Sequence, residues 1–129
     1  MPHTPLDPPS TPVMGTPNYT HAMLTNGVTR WLHIAGQVGV LPDGNTAKGI
    51  DAQCDAVFAN ISELLKGAGM TAQDICHLRI YMLDREHIPS LRRARNALLG
   101  DRVVPSTLVI VSGLVDPDWL VEVEFVAAA

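Results

Sequence analysis

Pro105-Ser-Thr-Leu-Val-Ile-Val-Ser-Gly-Leu-Val-Asp-Pro-Asp-Trp-Leu-Val-Glu-Val-Glu-Phe-Val-Ala127 is the stretch on which the reading of this chain turns. Two apolar, β-branched runs, 107–111 and 120–126, flank an Asp-Pro-Asp turn, which is the composition of paired strands in a sheet. Side chains alternate across a strand, so Glu122 and Glu124 point to the same face. Acids set among Val and Leu need a reason. Either that face meets water, or one carboxylate sits in a pocket and works.

Upstream, the clearest helix spans 50–68. Ile50, Cys54, Val57, Phe58, Ile61, Leu64 and Leu65 recur at three- and four-residue spacing, and Gly67 and Gly69 supply a stop. In 74–83, Leu78, Ile80 and Met82 alternate with His77, Arg79 and Tyr81, the pattern of a strand with one buried face. A shorter helix follows at 87–99, with Pro89 in its first turn, where a missing N–H costs little. Ile88, Leu91, Ala94, Leu98 and Leu99 face inward there, and Arg92, Arg93 and Arg95 outward or sideways. Nearer the amino terminus, two strand-like runs, 18–25 and 29–35, flank Asn26-Gly27, a hairpin signal. Gly36, Gly39 and Pro42-Asp43-Gly44 then form a loop. Residues 1–17 hold six of the ten prolines and read as an extended arm outside any ladder or helix.

The order is β-β-α-β-α-β-β. It predicts an α+β layer fold over 18–129, with both helices on one face of a single sheet. The other face is expected to carry Trp31, Tyr81, Val109, Val111, Val121, Val123 and Phe125. A face that apolar calls for a partner, and a ring-forming homo-oligomer is expected.

A chain of 129 residues fits one domain with a real core. Its 47% hydrophobic and 17% charged residues fit a globular protein. The net charge of −4, with no run of basic residues beyond two, disfavours nucleic acid as a partner. No apolar stretch is long enough for a membrane span, and no signal pattern opens the chain. Cys54 and Cys76 make no CxxC or zinc pattern and read as reduced thiols of a cytoplasmic protein. His3, His21, His33, His77 and His87 show no metal-binding spacing, so neither metal nor cofactor is expected.

Several short motifs, in order, resemble the Rid family, also called YjgF. They are Tyr19-Thr20-His21-Ala22, Ile34-Ala35-Gly36-Gln37, Ala68-Gly69-Met70, Tyr81-Met82-Leu83-Asp84, Pro105-Ser106-Thr107 and Val121-Glu122-Val123-Glu124, with a glutamine-bearing first helix. The resemblance spans residues 18–127. It implies a chorismate-mutase-like fold and a homotrimer whose sheets form a central barrel, with three clefts between subunits. The best-known members are cofactor-free deaminases that hydrolyse imines and enamines such as 2-iminopropanoate.

Carried over by position, the resemblance makes Glu122 the acid that positions the attacking water. Tyr19, Gly36 and the backbone near Val109 become substrate contacts. Ala35 replaces the family's usual serine. Thr107 stands where the deaminases have the arginine that grips the substrate carboxylate. A guanidinium makes two charge-assisted bonds and a threonine hydroxyl one neutral bond. At roughly 1.5–3 against about 1 kcal/mol, that exchange weakens a 2-imino acid by about 10- to 100-fold. Arg92, at a helix position that is often asparagine at the family's cleft, is the candidate replacement, weighed against a solvated basic helix face. Trp119 is either a wall of the cleft or a cap on the sheet edge, and Glu124 is expected to be structural. The expected function is hydrolysis or isomerisation of a small carbonyl–nitrogen compound. The alternative is a non-catalytic, ligand-binding trimer. Ribonuclease activity, described for a few family members, fits the acidic chain poorly.

Overall fold

The computed structural model describes residues 2–129. Its elements are β1 (His3–Leu6), β2 (Ala22–Thr25), β3 (Trp31–His33), β4 (Gln37–Val38), α1 (Ile50–Gly67), β5 (Ile75–Met82), α2 (Ile88–Leu99), β6 (Ser106–Ile110) and β7 (Val121–Ala128). The α+β class and the two helices are as expected. Among the described residues no helix is long and apolar enough to cross a membrane.

The apolar stripe of α1 holds: Cys54, Val57 and Ile61 are fully buried and Leu65 nearly so. Each large aliphatic side chain taken out of water contributes about 1.5–3 kcal/mol. Leu64 departs from the stripe and stays 38% exposed, while the polar Gln53 is buried in the core. The helix runs through Gly67 and ends at Ala68, whose N–H reaches back to Leu64 and Leu65. On α2, Leu91, Ala94 and Leu99 are buried as expected, and so is Arg95, which the sequence had placed outward or sideways.

The main sheet has the order β3-β7-β5-β6, with β4 also paired to β7. The two carboxy-terminal strands are therefore not partners of each other. β6 lies parallel to β5 and β7 antiparallel to it, on the opposite side. The reason is the α2 crossover: it returns β6 parallel to β5, and the following loop carries the chain to β5's other edge.

The open face of the sheet also differs from expectation. Val121, Val123 and Phe125 point to the helices and are buried in the core beside Leu78, Ile80 and Met82. The face without helices carries the alternate set: Thr107 and Val109, Arg79 and Tyr81, Glu122 and Glu124. Trp31, expected to pack in the sheet, is 54% exposed and stacks on His33. An apolar open face is thus not what this sheet presents.

The amino-terminal readings need two corrections. The proline-rich segment does join a ladder, since β1 pairs antiparallel with β2 in a separate two-stranded sheet. Asn26 N–H donates to Pro2 O at 2.9 Å, which fixes the phase of the ladder. Pro5 then falls where its N–H would point away from β2, so nothing is lost. The expected hairpin between β2 and β3 is absent. Gly27 does take a positive φ of 71°, but the turn is a corner between sheets. Thr29 and Arg30 N–H both donate to Ala129 O, which docks β3 on β7 and leaves β2 to β1.

Candidate functional site

Glu122 lies on β7 with Val38 of β4 on one side and Tyr81 of β5 on the other. The chain at Gly36 passes directly against its carboxylate. A Cβ at residue 36 would overlap Glu122 Oε2 and come within 2.7 Å of Cδ, so any larger residue would displace the Glu122 side chain. Among the described residues the Glu122 carboxylate has no hydrogen-bond or ion-pair partner. Its neighbour Glu124 is engaged: Tyr81 O–H donates to Glu124 Oε1 at 2.6 Å, and Arg79 Nη1 stands 3.9 Å away. That hydrogen bond leads the causes that raise the Tyr81 pKa above its ordinary value. The two acids share a face, as read from sequence, but only Glu122 is free to act on a ligand.

The entry of β7 is set by Gln53. Its Nε2 donates to Ala47 O at 3.1 Å and Asp118 O at 2.9 Å, and its Oε1 accepts from Leu120 N at 2.8 Å. This buried amide is fully used, and it pins the backbone two residues before Glu122. Gly39 is needed beside it, since a Cβ there would approach Gln53 Cβ to 2.6 Å. Trp119 donates from Nε1 to Thr46 Oγ1 at 3.3 Å and so ties the same loop down.

Thr107 and Val109 are exposed on β6, on the face of Glu122. Val109 is in register with Tyr81, and Thr107 with Arg79. Two strand spacings, about 10 Å, separate β6 from β7. Arg79 is the cation in register with Thr107. Its alternation with Tyr81 was legible in sequence, but its register with Thr107 was not.

Tyr19 and Arg92 lie elsewhere. With Arg95, they line a cavity of about 270 Å³ between α2, β6 and the segment 16–19. Ser106 and Leu108 of β6 line it, whereas Thr107 points to the other side. Tyr19 is 38% exposed, and its hydroxyl is 3.0 Å from His21 Nδ1. The expected residues therefore separate into two groups, Glu122 with Gly36 and Tyr19 with Arg92, on opposite sides of the sheet. Neither cysteine joins them. Burial pushes the Cys54 thiol up to about 11 and raises that of Cys76, whose Sγ–H donates to Val126 O at 3.4 Å.

The model of the family described as Endoribonuclease L-PSP matches residues 12–129. A RutC family protein of Aquifex aeolicus is 29% identical over 121 residues, covering 92% of this chain and 94% of its own length. A Rid-family protein of unknown function, YyfB from Yersinia pestis, superposes with a TM-score of 0.87 at 27% identity, with 100% of both chains covered. RidA from an Antarctic Psychrobacter superposes with a TM-score of 0.74 at 25% identity over 92% of each chain.

Proposed function

The chain belongs to the endoribonuclease L-PSP family, the Rid or YjgF group, and from that premise we propose that it hydrolyses or isomerises a small imine, enamine or related carbonyl–nitrogen compound. The reaction needs no cofactor and takes place in the cytoplasm, in clefts between the subunits of a homotrimer. The observation that carries this reading is the Glu122 carboxylate, unpartnered and held against the side-chain-free backbone of Gly36.

In hydrolysis, Glu122 accepts a proton from water as the water oxygen bonds to the C=N carbon. It returns that proton to the nitrogen to give a carbinolamine, then takes the carbinolamine hydroxyl proton and passes it to the nitrogen as the C=O bond forms and the C–N bond breaks, so the products are a carbonyl compound and ammonia. An enamine first gains a proton at carbon and loses one from nitrogen, which gives the same imine. General acid–base catalysis of this kind contributes about 10²–10⁴-fold. Tyr19 and Arg92 lie on the far side of β6 from Glu122 of the same chain. A cleft that uses both groups needs a second subunit, which supports the trimer. Thr107 sets a specificity unlike that of the arginine-bearing deaminases, and Arg79 beside it offers the nearer guanidinium.

The test is a coupled assay of 2-iminopropanoate breakdown with the natural chain, Glu122→Gln and Thr107→Arg. Glu122→Gln is expected to lose about 100-fold or more in rate with its fold intact. Unchanged activity in that variant would sink the catalytic reading. An inactive natural chain that gains activity with Thr107→Arg would mark a cleft turned to another substrate. Thr107 also favours a second reading, a non-catalytic ligand-binding trimer, in which ligands bind and nothing turns over. Ribonuclease activity is disfavoured by the net charge of −4.

A further inference from the structure

His21 sits just before β2, and both nitrogens of its ring are engaged. Nε2 lies 2.7 Å from Pro12 O, and Nδ1 lies 3.0 Å from the Tyr19 hydroxyl. A carbonyl oxygen can only accept, so Nε2 carries the proton. In the neutral ring Nδ1 is then a bare lone pair, and the Tyr19 O–H donates to it. The two rings meet edge to face at a centroid distance of 4.9 Å, and His21 N–H is fixed on Asp7 Oδ1 at 2.6 Å. Tyr19 has one hydroxyl proton, and this contact uses it. A ligand that reaches the hydroxyl oxygen from the cavity shared with Arg92 meets only its lone pairs. A second proton on His21 reverses the bond. Nδ1–H then donates to the Tyr19 oxygen, and the hydroxyl proton is released to the ligand.

We propose that His21 is a positioning residue that sets the polarity of the Tyr19 hydroxyl: an acceptor for a substrate N–H when His21 is neutral, a donor when His21 is protonated. The inference rests on Tyr19 as a substrate contact. Its consequence is discrimination between substrate and product. An imine has an N–H to give, and the carbonyl compound formed from it has none. Neutral His21 therefore favours the imine by about fivefold, the contribution of one neutral hydrogen bond. Among the titratable groups, Asp7 faces His21 from the proline-rich segment and Tyr19 from its own. His33, His77 and Cys76 face it across the cavity between β2 and the main sheet. Among the described residues, no other ionisable side chain lines either cavity that the His21 ring borders.

The experiment is NMR of the full chain, labelled with ¹⁵N in histidine and ¹³C at the tyrosine Cζ, titrated from about pH 8 to about pH 5, the range in which imidazoles change charge. At the upper end His21 is expected to carry its proton on Nε2. Tyr19→Phe should move the Nδ1 resonance to that of an unbonded nitrogen. On acidification the Tyr19 Cζ resonance should move with the His21 midpoint, and in His21→Gln it should stay still. A proton on Nδ1 at the upper end, or a Tyr19 signal that ignores the titration of His21, would overturn the proposal. In hydrolysis of 2-iminopropanoate, the amide oxygen of His21→Gln accepts from Tyr19 but does not titrate. The natural chain should therefore lose about fivefold more in kcat/KM on acidification than this variant does. Identical pH profiles would also overturn the proposal. An inactive natural chain whose Tyr19 signal still follows His21 would sink the choice of substrate and leave the switch standing.

Discussion

The Glu122 carboxylate and the Gly36 backbone occupy one another's space so closely that a single methyl group cannot be added between them. Gly36→Ala is expected to push the carboxylate out of place, because the clash falls on the end of the Glu122 side chain, which must swing away. A rate at least about tenfold lower, with the fold intact, would bear this out. Gly113→Ala is the control, since no atom lies within 4 Å of a Cβ there. An unchanged rate in Gly36→Ala would mean that Glu122 is not positioned by this contact. At this scale the shared face of Glu122 and Glu124 could be read from sequence, since a strand's alternation is local, while Gly36 was reached only through the family resemblance. Arg79 and Arg95 could not. The importance of Arg79 comes from its register with Thr107 on another strand, and that of Arg95 from what α2 covers.

The amino-terminal strand is held by a few polar contacts more than by packing. Asp7 Oδ1 accepts from His21 N at 2.6 Å and Asp7 Oδ2 from Thr20 Oγ1 at 2.7 Å, while His3 Nε2 lies 2.9 Å from Ala128 O. Asp7→Ala removes two of these and is expected to speed amide hydrogen exchange across Ala22–Thr25 severalfold. Exchange equal to that of the natural chain would show β1 to be held by something else. The same bonds, the His21 N–H first, hold the Asp7 carboxyl below its ordinary value of 3.8. A depressed carboxyl stabilises the folded form above that ordinary value, and the contribution is lost as pH falls through the lowered one. The β1–β2 pair should therefore loosen below about pH 4. Six prolines hid this strand from a sequence reading, because what matters is which way the missing N–H of Pro5 points. The long periodic elements α1, α2 and β5 were legible because their patterns need no knowledge of a partner. The pairing of β6 and β7 with β5 depends on a crossover, which composition does not encode.

For the molecule as a whole, the arrangement of the site makes the argument for assembly. Glu122 and Gly36 lie on one side of the sheet, Tyr19 and Arg92 on the other, and β6 between them is an edge strand with one neighbour. A trimer gives light scattering three times the chain mass of 13.9 kDa. A stable monomer with full imine hydrolysis would refute a cleft shared between subunits. The sequence pointed to assembly for a reason the structure corrects. Val121, Val123 and Phe125 fill the core under the helices, and the open face is polar. The two faces of a strand read alike when one carries Val and Phe and the other Glu, Tyr and Val beside them.

Strand β7 is bonded to β3, β4 and β5, all of which precede it in the chain. On the ribosome, at about 5–20 residues per second, β3 and β4 leave the exit tunnel on the order of ten seconds before their partner. Until then, within the main sheet, only the unit β5-α2-β6 has its strand partner in hand, and the β7-facing edge of β5 stands open in the nascent chain. The sheet that carries Glu122 can close only after the last strand has been made, which makes the newborn chain a natural client for chaperones that shield unpaired strand edges.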